Sequence, residues 1–428
     1  MIIKVEVRNP AARVVAIFAT LIISALLTYA MLLNFLAGVL TDQRANIRTE
    51  WLAAGIAYVP NSARLNARLA ETEMTQAERD LSAVESCAQR AVNLSPWDYE
   101  HRLLMATVKE AKGDRDGAEQ SLREALALAP NYPDVHWRLA NLLLREGKLG
   151  KSVSEFRAAA SSNPKLLPGT LDLLWRVSAG NLAALQTVAP TDPNSQAILA
   201  QFLLKEKRAA DAITIFSGID RNALVGLPQS PAFIDSLVSQ GHIEEARGLW
   251  IGMISGDYAQ PGHPLPLVWN GSFESDASKN LAQFDWRIIR NEYAVPSIDS
   301  SVARTGSRSL RIEFTGRDTT RLDEQVKQIV VVHPGARYRL ECYARSERLN
   351  TPEGPRVVVT GPSSTEIVKS APISPGSSDW HPIAIDFTAP ANTRAIVITI
   401  RRVPQFSYDD PTSGIVWFDD FRLTEQGK

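Results

Sequence analysis

Three side chains on one predicted strand have the types needed to recognise a sugar. Arg339, Glu341 and Tyr343 alternate with apolar residues, so a period of two places them on one face. An aromatic ring can stack on the C–H face of a sugar, and the planar ends of Arg and Glu can hydrogen-bond its hydroxyl groups. The alternative for each aromatic residue is ordinary packing. The residues that we predict to contact carbohydrate are Tyr293, Arg339, Glu341, Tyr343 and Tyr408.

The motifs of common catalytic sites are absent from the sequence. There is no Gly-x-Ser-x-Gly turn, no phosphate-binding glycine loop with lysine and no His-Glu-x-x-His. The six histidines show no metal-ligand spacing, and two cysteines are too few for a zinc site or a disulfide framework. Two carboxylates in a cleft can hydrolyse a glycosidic bond, and sequence alone does not exclude that geometry. We expect a binding protein and not an enzyme.

The candidate residues lie in the last third of the chain, which has the pattern of strands. Apolar and polar residues alternate in several runs, and Gly or Pro separates the runs. The clearest runs are 310–314, 338–342, 383–387 and 396–400. Many short strands in succession predict a β-sandwich.

An ordered set of motifs gives this region a resemblance to a known family. It opens with Asn270-Gly-Ser-Phe-Glu274 and closes with Phe418-Asp-Asp-Phe-Arg-Leu423. Between them stand Phe284-Asp-Trp286, Thr305-Gly-Ser-Arg-Ser-Leu310, Pro334-Gly-Ala-Arg-Tyr338, Trp380 and Phe387-Thr-Ala-Pro390. This order resembles that of the jelly-roll carbohydrate-binding modules attached to bacterial xylanases. The resemblance covers residues 267–425. It implies a glycan-binding sandwich in which 268–276 form the first strand, and in which Trp286 and Trp380 pack the core.

The same resemblance implies a structural calcium ion. In jelly rolls of this kind the first and last strands lie close together, so Glu274 would meet Asp419 and Asp420. A hard cation bound by about 6–8 oxygen atoms would neutralise such a cluster. The alternative is that Glu274 and one aspartate accept hydrogen bonds from backbone amides at the ends of the sheets.

A period of 34 residues runs through the middle of the chain. Pro96, Pro130 and Pro164 follow this spacing, and so do Gly113 and Gly147. A small residue in mid-repeat, a large apolar residue four positions later and a closing proline resemble the tetratricopeptide repeat, which consists of two antiparallel helices. Such stacks present a concave surface, so we expect a partner protein or peptide there. The alternative is a spacer that holds the last domain away from the membrane.

The individual repeats differ in how closely they follow this pattern. The match is clear for 99–132 and 133–166 and looser for 193–226 and 227–260. Segment 61–96 reads as a degenerate or capping unit. Segment 167–192 is too short for a full unit and predicts one helix and a break.

An apolar run without charge lies near the amino terminus. It extends over 27 residues from Val14 to Leu40, whereas about 20 residues cross a bilayer. The apolar core of a signal peptide has about 7–15 residues, so we predict an uncleaved transmembrane helix. The alternative is a buried core helix. Three basic residues precede the run and two closely follow it, which weakly favours a cytoplasmic amino terminus. We therefore expect a single-pass protein of the cytoplasmic (inner) membrane, with its large carboxy-terminal part facing the periplasm or exterior.

Composition agrees with a globular binding protein of this kind. With 46 Lys and Arg against 47 Asp and Glu, the net charge is −1, which gives no support for a nucleic-acid partner. The predicted fold is a multidomain α plus β chain with a transmembrane helix, an α-solenoid and a jelly-roll β-sandwich. The predicted segments are a cytoplasmic head (1–13), the transmembrane helix (14–40), a linker (41–60), the repeats (61–260) and the sandwich (261–428).

The architecture suggests two functions. The first is a membrane-anchored accessory protein that binds glycan through its sandwich and a partner protein through its repeats, in exopolysaccharide or cell-envelope assembly. The second is a protein–protein scaffold whose sandwich does not bind sugar.

Overall fold

The computed structural model divides into two compact units, Met1–Pro190 and Thr191–Lys428. The first unit is helical, and the second combines helices with two antiparallel sheets, so the predicted multidomain α plus β fold is confirmed. The residues that the structure describes are 10–42, 47–76, 78, 80–254, 265–276, 281–317, 321–362, 364–403 and 411–427.

The first unit contains ten α-helices among its described residues. They are α1 (Pro10–Leu40), α2 (Thr49–Tyr58), α3 (Ala63–Met74), α4 (Leu81–Leu94), α5 (Tyr99–Lys112), α6 (Arg115–Leu128), α7 (Pro133–Arg145), α8 (Leu149–Ser162), α9 (Leu167–Val177) and α10 (Leu182–Val188). A short 3₁₀ helix, Pro164–Leu166, precedes α9.

Helix α1 is long and apolar enough, over Arg13–Leu40, to cross a membrane. Its last turn also belongs to a folded core, because Ala37 is buried and Leu40 packs beside it against Leu52 and Leu65. Gly55 of α2 permits this approach, since a Cβ atom there would collide with the Leu40 side chain.

Two predictions for the first unit need correction. Segment 41–60 was predicted as a linker, but it contains α2, whose short, nearly uncharged sequence has no repeat signature. Segment 167–192 was predicted to hold one helix, but it contains both α9 and α10. Gly180, with φ near 78°, turns the chain between them, and the Asn181 side chain caps α10.

The two clearest repeats form helical hairpins with the predicted bounds, α5–α6 and α7–α8. Gly113 and Gly147 lie at their turns with positive φ, a conformation that costs glycine little. Leu139 and Leu122 pack in a core that these helices share. Stacking of hairpins therefore builds the interior, as in other helical-repeat proteins.

The second unit begins with five helices. They are α11 (Pro193–Lys205), α12 (Ala209–Ser217), α13 (Arg221–Gly226), α14 (Gln229–Ser239) and α15 (Ile243–Ile254). Helices α11–α12 and α14–α15 occupy the two looser predicted repeats.

Ten strands follow among the described residues. They are β1 (Arg287–Ile288), β2 (Ala294–Asp299), β3 (Ser309–Thr315), β4 (Val326–Val331), β5 (Arg337–Asn350), β6 (Arg356–Thr360), β7 (Glu366–Lys369), β8 (Gly376–Thr388), β9 (Ala395–Arg401) and β10 (Ser413–Gln426). The first sheet has the order β1-β4-β9-β6-β7, and the second has the order β2-β3-β10-β5-β8.

The inner faces of the two sheets share one hydrophobic core. It includes Ile312, Leu340, Ile398 and Phe418, which the alternating pattern of their strands turns inward. Trp286 is also buried in this core, as predicted. Trp380 is only partly buried and is not among the core residues.

The opening motif does not form the predicted first strand. Residues 268–274 form a turn, in which Asn270 and Phe273 have φ near 49° and 58°. The Asn270 side chain closes this turn by accepting from the Ser275 N–H and donating to the Ser275 carbonyl oxygen. Two positive φ values within four residues interrupt the extended backbone that pairing with a neighbouring strand requires.

Helix α15 packs on the segment that leads into the sandwich. Trp250 is buried, and its Nε1–H donates to the Leu281 carbonyl oxygen at 2.9 Å. Its ring lies edge-on to Trp269 and Phe284, with centroids 5.5 and 5.6 Å away. The last helices and the sandwich therefore belong to one compact unit.

Candidate functional site

The outer face of β5 carries the three predicted sugar contacts that lie on a strand. Arg339, Glu341 and Tyr343 are half-buried, and the residues that alternate with them are buried in the core. The neighbouring strands are β8 and β10, which place Asp386 opposite Arg339 and Pro382 opposite Tyr343. Asp386 of β8 therefore lies beside Arg339 on the outer side of the second sheet.

Arg339 is held between two carboxylates on this surface. Its Nε lies 3.1 Å from Glu341 Oε1, and a terminal nitrogen lies 3.0 Å from Asp386 Oδ2. The hydrogen bond that Arg339 donates to Glu341, followed by the charge of Asp386, raises the pKa of Arg339 above its usual value. The guanidinium is thus fixed in position and permanently charged, as a polar group that orients a ligand must be.

Tyr343 is covered on one side by a cation. The central carbon of the Arg304 guanidinium lies 3.4 Å from the ring centroid, within the range of a cation–π contact. The ring is half-buried, so part of it remains accessible for stacking.

Trp417 of β10 also faces this side, although the sequence did not identify it as a site residue. Its Nε1–H donates to Asp299 Oδ2 at 2.8 Å, and Arg345 lies 5.6 Å from its ring. Burial alone would raise the pKa of Asp299, but hydrogen bonds from Ser301 and Trp417 outweigh it and lower that pKa. Only 3% of Trp417 is exposed, so it supports the surface and offers no free ring face.

The other two predicted sugar contacts are not brought to this cluster. Tyr293 is half-buried just before β2, and its carbonyl oxygen accepts from the Thr315 N–H at the far end of β3. Strands β3 and β10 separate β2 from β5, a distance of at least about 14 Å at roughly 4.8 Å per strand. Tyr408 lies outside the described residues.

Glu274 binds the loop between β2 and β3. Its Oε1 accepts from the N–H groups of Ser307 and Arg308, both at 2.8 Å, and its Oε2 accepts from the Ser307 hydroxyl at 2.8 Å. The Ser307 hydrogen bonds lead the causes that lower the pKa of Glu274, and the Arg308 N–H adds to them. The carboxylate therefore ties the opening turn to this loop.

Asp419 and Asp420 bind the other part of the same loop. Asp419 is fully buried, and its Oδ2 accepts from the N–H groups of Arg304 and Thr305 at 2.8 and 3.3 Å. Asp420 pairs with the Arg304 guanidinium and accepts from the Thr305 hydroxyl at 2.6 Å. Burial, reinforced by the charge of Asp420, raises the pKa of Asp419.

The opening and closing motifs are in direct contact, as the family resemblance implied. The Phe421 N–H donates to the Gly271 carbonyl oxygen at 2.9 Å. A Cβ atom at position 271 would collide with the Phe421 carbonyl oxygen, so only glycine permits this approach. The Asn-Gly pair thus serves a close backbone contact between segments far apart in sequence.

The geometry around the three carboxylates matches backbone capping, the alternative to calcium. Their oxygen atoms accept N–H and O–H groups from residues 304–308. Over the described ranges, no three His, Cys, Asp or Glu side chains are arranged to hold a metal ion. The calcium site at Glu274, Asp419 and Asp420 stays a prediction.

The helical repeats of the first unit have a surface of their own. Tyr99 and Tyr132, at the starts of successive hairpins, are in contact with ring centroids 4.7 Å apart and ring planes tilted by 53°. Beside them Trp97 is 84% exposed. It borders a pocket of about 260 Å³ with Pro96, Ala127 and Leu128, and the Arg102–Glu124 ion pair forms the polar edge.

The 34-residue period is also reflected in buried positions. Ala106 and Ala140 are both buried, as are Ala125 and Ala159, and each pair differs by one period. Residues 109–166 match the tetratricopeptide repeat family model. This match confirms the predicted repeat type for the part of the chain where the signature is clearest.

Comparison with curated proteins gives no match. Among solved structures, the crystal structure of MamA is similar over 40% of this chain and 82% of that chain, with 13% identity and a TM-score of 0.27. A CBM4 structure is similar over 37% of this chain and 99% of that chain, with 15% identity and a TM-score of 0.27.

A third similar structure comes from Clostridium thermocellum. It contains the CBM22-1 and GH10 modules of endo-1,4-beta-D-xylanase 10B complexed with xylohexaose. The similarity covers 39% of this chain and 29% of that chain, with 14% identity and a TM-score of 0.26. The chain itself combines tetratricopeptide repeats with a two-sheet antiparallel β-sandwich.

Proposed function

We propose that this chain is a membrane-anchored binding protein that acts outside the cytoplasm. Its β-sandwich binds a glycan, and its tetratricopeptide repeats bind a partner protein or peptide. Its role is accessory to exopolysaccharide or cell-envelope assembly and does not include catalysis. The architecture of a single apolar span, repeats and sandwich supports this combination.

The end of the apolar helix supports an anchor over a cleaved signal sequence. Ala37 and Leu40 pack against Leu52 of α2 and Leu65 of α3. Cleavage beyond the span would remove part of this core and expose Leu52 and Leu65 to water, at about 25 cal/mol for each Å² of apolar surface. The helix is therefore better suited to remain attached to the folded repeats.

The outer face of β5 carries the glycan-binding proposal. A partly accessible Tyr343 ring lies on the same face as the fixed Arg339 guanidinium and its two carboxylate partners. A sugar needs a ring against its apolar face and oriented polar groups around its hydroxyls, and this surface offers both. Because the charged groups already pair with one another, the site is pre-organised and loses little side-chain freedom on binding.

A glycan array tests this proposal directly. The full chain in detergent micelles should bind at least one class of bacterial polysaccharide, and Tyr343→Ala should weaken that binding by at least about tenfold, or about 1.4 kcal/mol. Lys369→Ala, on exposed β7 of the opposite sheet, is the matched control and should bind like the parent. Equal binding by the Tyr343 and Lys369 variants would refute this location for the site.

The repeats offer an exposed anchor for a partner. Trp97 is 84% exposed next to an apolar pocket, and large exposed aromatic residues are enriched at protein interfaces. A pull-down with the full chain should lose its partner when Trp97 is changed to Ala. Retention of every captured protein by that variant would place the partner surface elsewhere.

A scaffold without sugar binding is the second candidate. It is favoured by the packing of α15 on the segment that leads into the sandwich, through Trp250 and Leu281. In that case the array would show no glycan, while partner capture would continue.

A further inference from the structure

The helix that follows the apolar span exposes large aromatic side chains and carries a single charged residue. Helix α2 buries Leu52 and Gly55. Trp51 and Tyr58, seven residues apart and so on one side of the helix, flank this buried stripe and are exposed by 64% and 65%. The only charged residue in the helix is Glu50, in the first turn, and it pairs with Arg48 at 3.4 Å. The remaining exposed residues of the helix are Ala53, Ala54 and Ala57.

Such a face is unusual for a helix in contact with water. On α6, in the same unit, the exposed positions include Asp116, Gln120 and Arg123. A surface helix normally opposes its buried stripe with charged and polar side chains. The apolar face of α2 is therefore suited to an environment other than bulk water.

Helix α1 determines where α2 lies relative to a bilayer. About 20 residues cross the hydrocarbon layer, so a span that begins at Arg13 reaches the outer boundary near Leu33. Ala37 and Leu40 then lie roughly 6–10 Å beyond that boundary, at 1.5 Å per residue. The headgroup layer is about 5–8 Å thick on each side. Because α2 packs against Ala37 and Leu40, it lies at the outer part of the headgroup layer.

The residue types on α2 fit that depth. Trp and Tyr have an apolar ring with a polar tip, and they concentrate at the boundary between lipid tails and water. Alanine side chains between them are small and allow the helix to lie close to the lipid. Helices of this kind lie in the plane of the interface with their apolar face in the headgroup region.

We propose that α2 is an interfacial helix whose Trp51 and Tyr58 face rests on the outer lipid headgroups. It fixes the first repeats against the bilayer surface. The inference rests on the membrane anchor of the proposed function, because α1 is what brings α2 to the membrane. Lipid is the occupant because the packing of α2 against the end of α1 holds this face at the bilayer in every copy of the chain.

Lipid-borne quenchers test the inference on the full chain in phospholipid vesicles. Bromine atoms attached near the headgroup end of the acyl chains should quench part of the tryptophan emission. Trp51→Phe, which keeps an aromatic ring, should remove most of the quenched fraction. Trp97→Phe is the matched control, because Trp97 is also highly exposed but belongs to the connection between α4 and α5, and it should leave quenching unchanged.

The outcomes separate this inference from the anchor itself. A chain that alkaline carbonate extracts from the vesicles would refute the anchor. A chain that stays in the vesicles, but whose quenching is the same with and without Trp51, would refute the interfacial helix. If Trp51 were also shielded from acrylamide in the water phase, another protein or a second copy would be the occupant, and the lipid assignment would again be wrong.

Discussion

At the scale of single residues, one loop gathers three carboxylates from distant parts of the chain. Glu274 accepts from Ser307 and Arg308, while Asp419 accepts from Arg304 and Thr305. Backbone amides that would otherwise lack partners at the sheet ends are thereby satisfied. The loop between β2 and β3 is consequently hydrogen-bonded to both the opening turn and the last strand.

Changing Glu274 to Gln should produce a pH-dependent loss of stability. The pKa of Glu274 is lowered in the folded state by its hydrogen bonds, so the ionised form stabilises folding. That contribution is fully present above the unfolded pKa, near 4.3, and disappears as pH falls through the lower folded pKa. Melting curves at pH 7 and pH 3 should show a lower Tm for the variant at pH 7 and a smaller difference at pH 3. A constant difference across this range would contradict the role of the charge.

Calcium binding at the same loop is a separate prediction. If Glu274, Asp419 and Asp420 bind calcium, a hundredfold excess over Kd should stabilise the sandwich by about 2.7 kcal/mol. Calcium should raise the melting temperature of the chain, a chelator should lower it, and Glu274→Gln should abolish the difference. Identical melting with calcium and with chelator, for metal-free protein, would leave the carboxylates as caps alone.

At the scale of elements, close packing within a repeat hairpin can be measured. Ala140 of α7 is fully buried, and its carbonyl oxygen accepts from the Ser152 hydroxyl of α8 at 2.8 Å. Little space therefore remains between the two helices at this position.

Replacing Ala140 with Leu should overpack this contact and cost about 1–3 kcal/mol of unfolding free energy. The control is Ala111→Leu at an exposed position on α5, where the larger side chain meets water. Denaturant titrations of both variants provide the comparison. Equal stability of the two would show that the hairpin adapts to the added volume.

The contact between α15 and the segment that leads into the sandwich includes one side-chain hydrogen bond, and removing its donor should lower the stability of the protein. Trp250→Phe keeps an aromatic ring but leaves the Leu281 carbonyl oxygen without its partner, which should cost about 1–3 kcal/mol. Trp97→Phe, at a surface position, should cost much less. If calorimetry gave the same Tm for the Trp250 variant and the parent, this contact would not contribute to the stability of the second unit.

At the scale of the whole molecule, the amino-terminal helix connects an apolar span to a folded domain. The same helix exposes apolar side chains over most of its length and buries Ala37 in its last turn. The span and the first repeats are therefore not independent pieces.

Two truncations should reveal this connection. A chain that begins at Phe35 keeps Ala37 and Leu40, whereas a chain that begins at Thr41 loses both. The longer version should be more stable by up to about 3 kcal/mol, the scale of burying one leucine, when the helical unfolding transition is followed by circular dichroism. Indistinguishable transitions would mean that the contact of α1 with α2 and α3 adds nothing.

The sequence by itself determined the clearest helical hairpins, four of the ten described strands and the apolar span. The 34-residue repeat, the alternation of apolar residues in the strands and the uncharged run near the amino terminus each indicate which side chains are shielded from water. Strands β3, β5, β8 and β9 agree with the predicted runs for this reason. The shared face of Arg339, Glu341 and Tyr343 follows from the same alternation along β5.

Only the tertiary structure decided which distant segments meet. Asp419 contacts Arg304 across 115 residues, and Trp417 is covered by side chains of β2 and β5. The opening motif became a turn because Gly271 must lie against the Phe421 backbone. The periodicity of a segment indicates which of its faces is buried, but it does not indicate which segment lies beside it. The neighbour depends on the order in which the strands assemble into sheets.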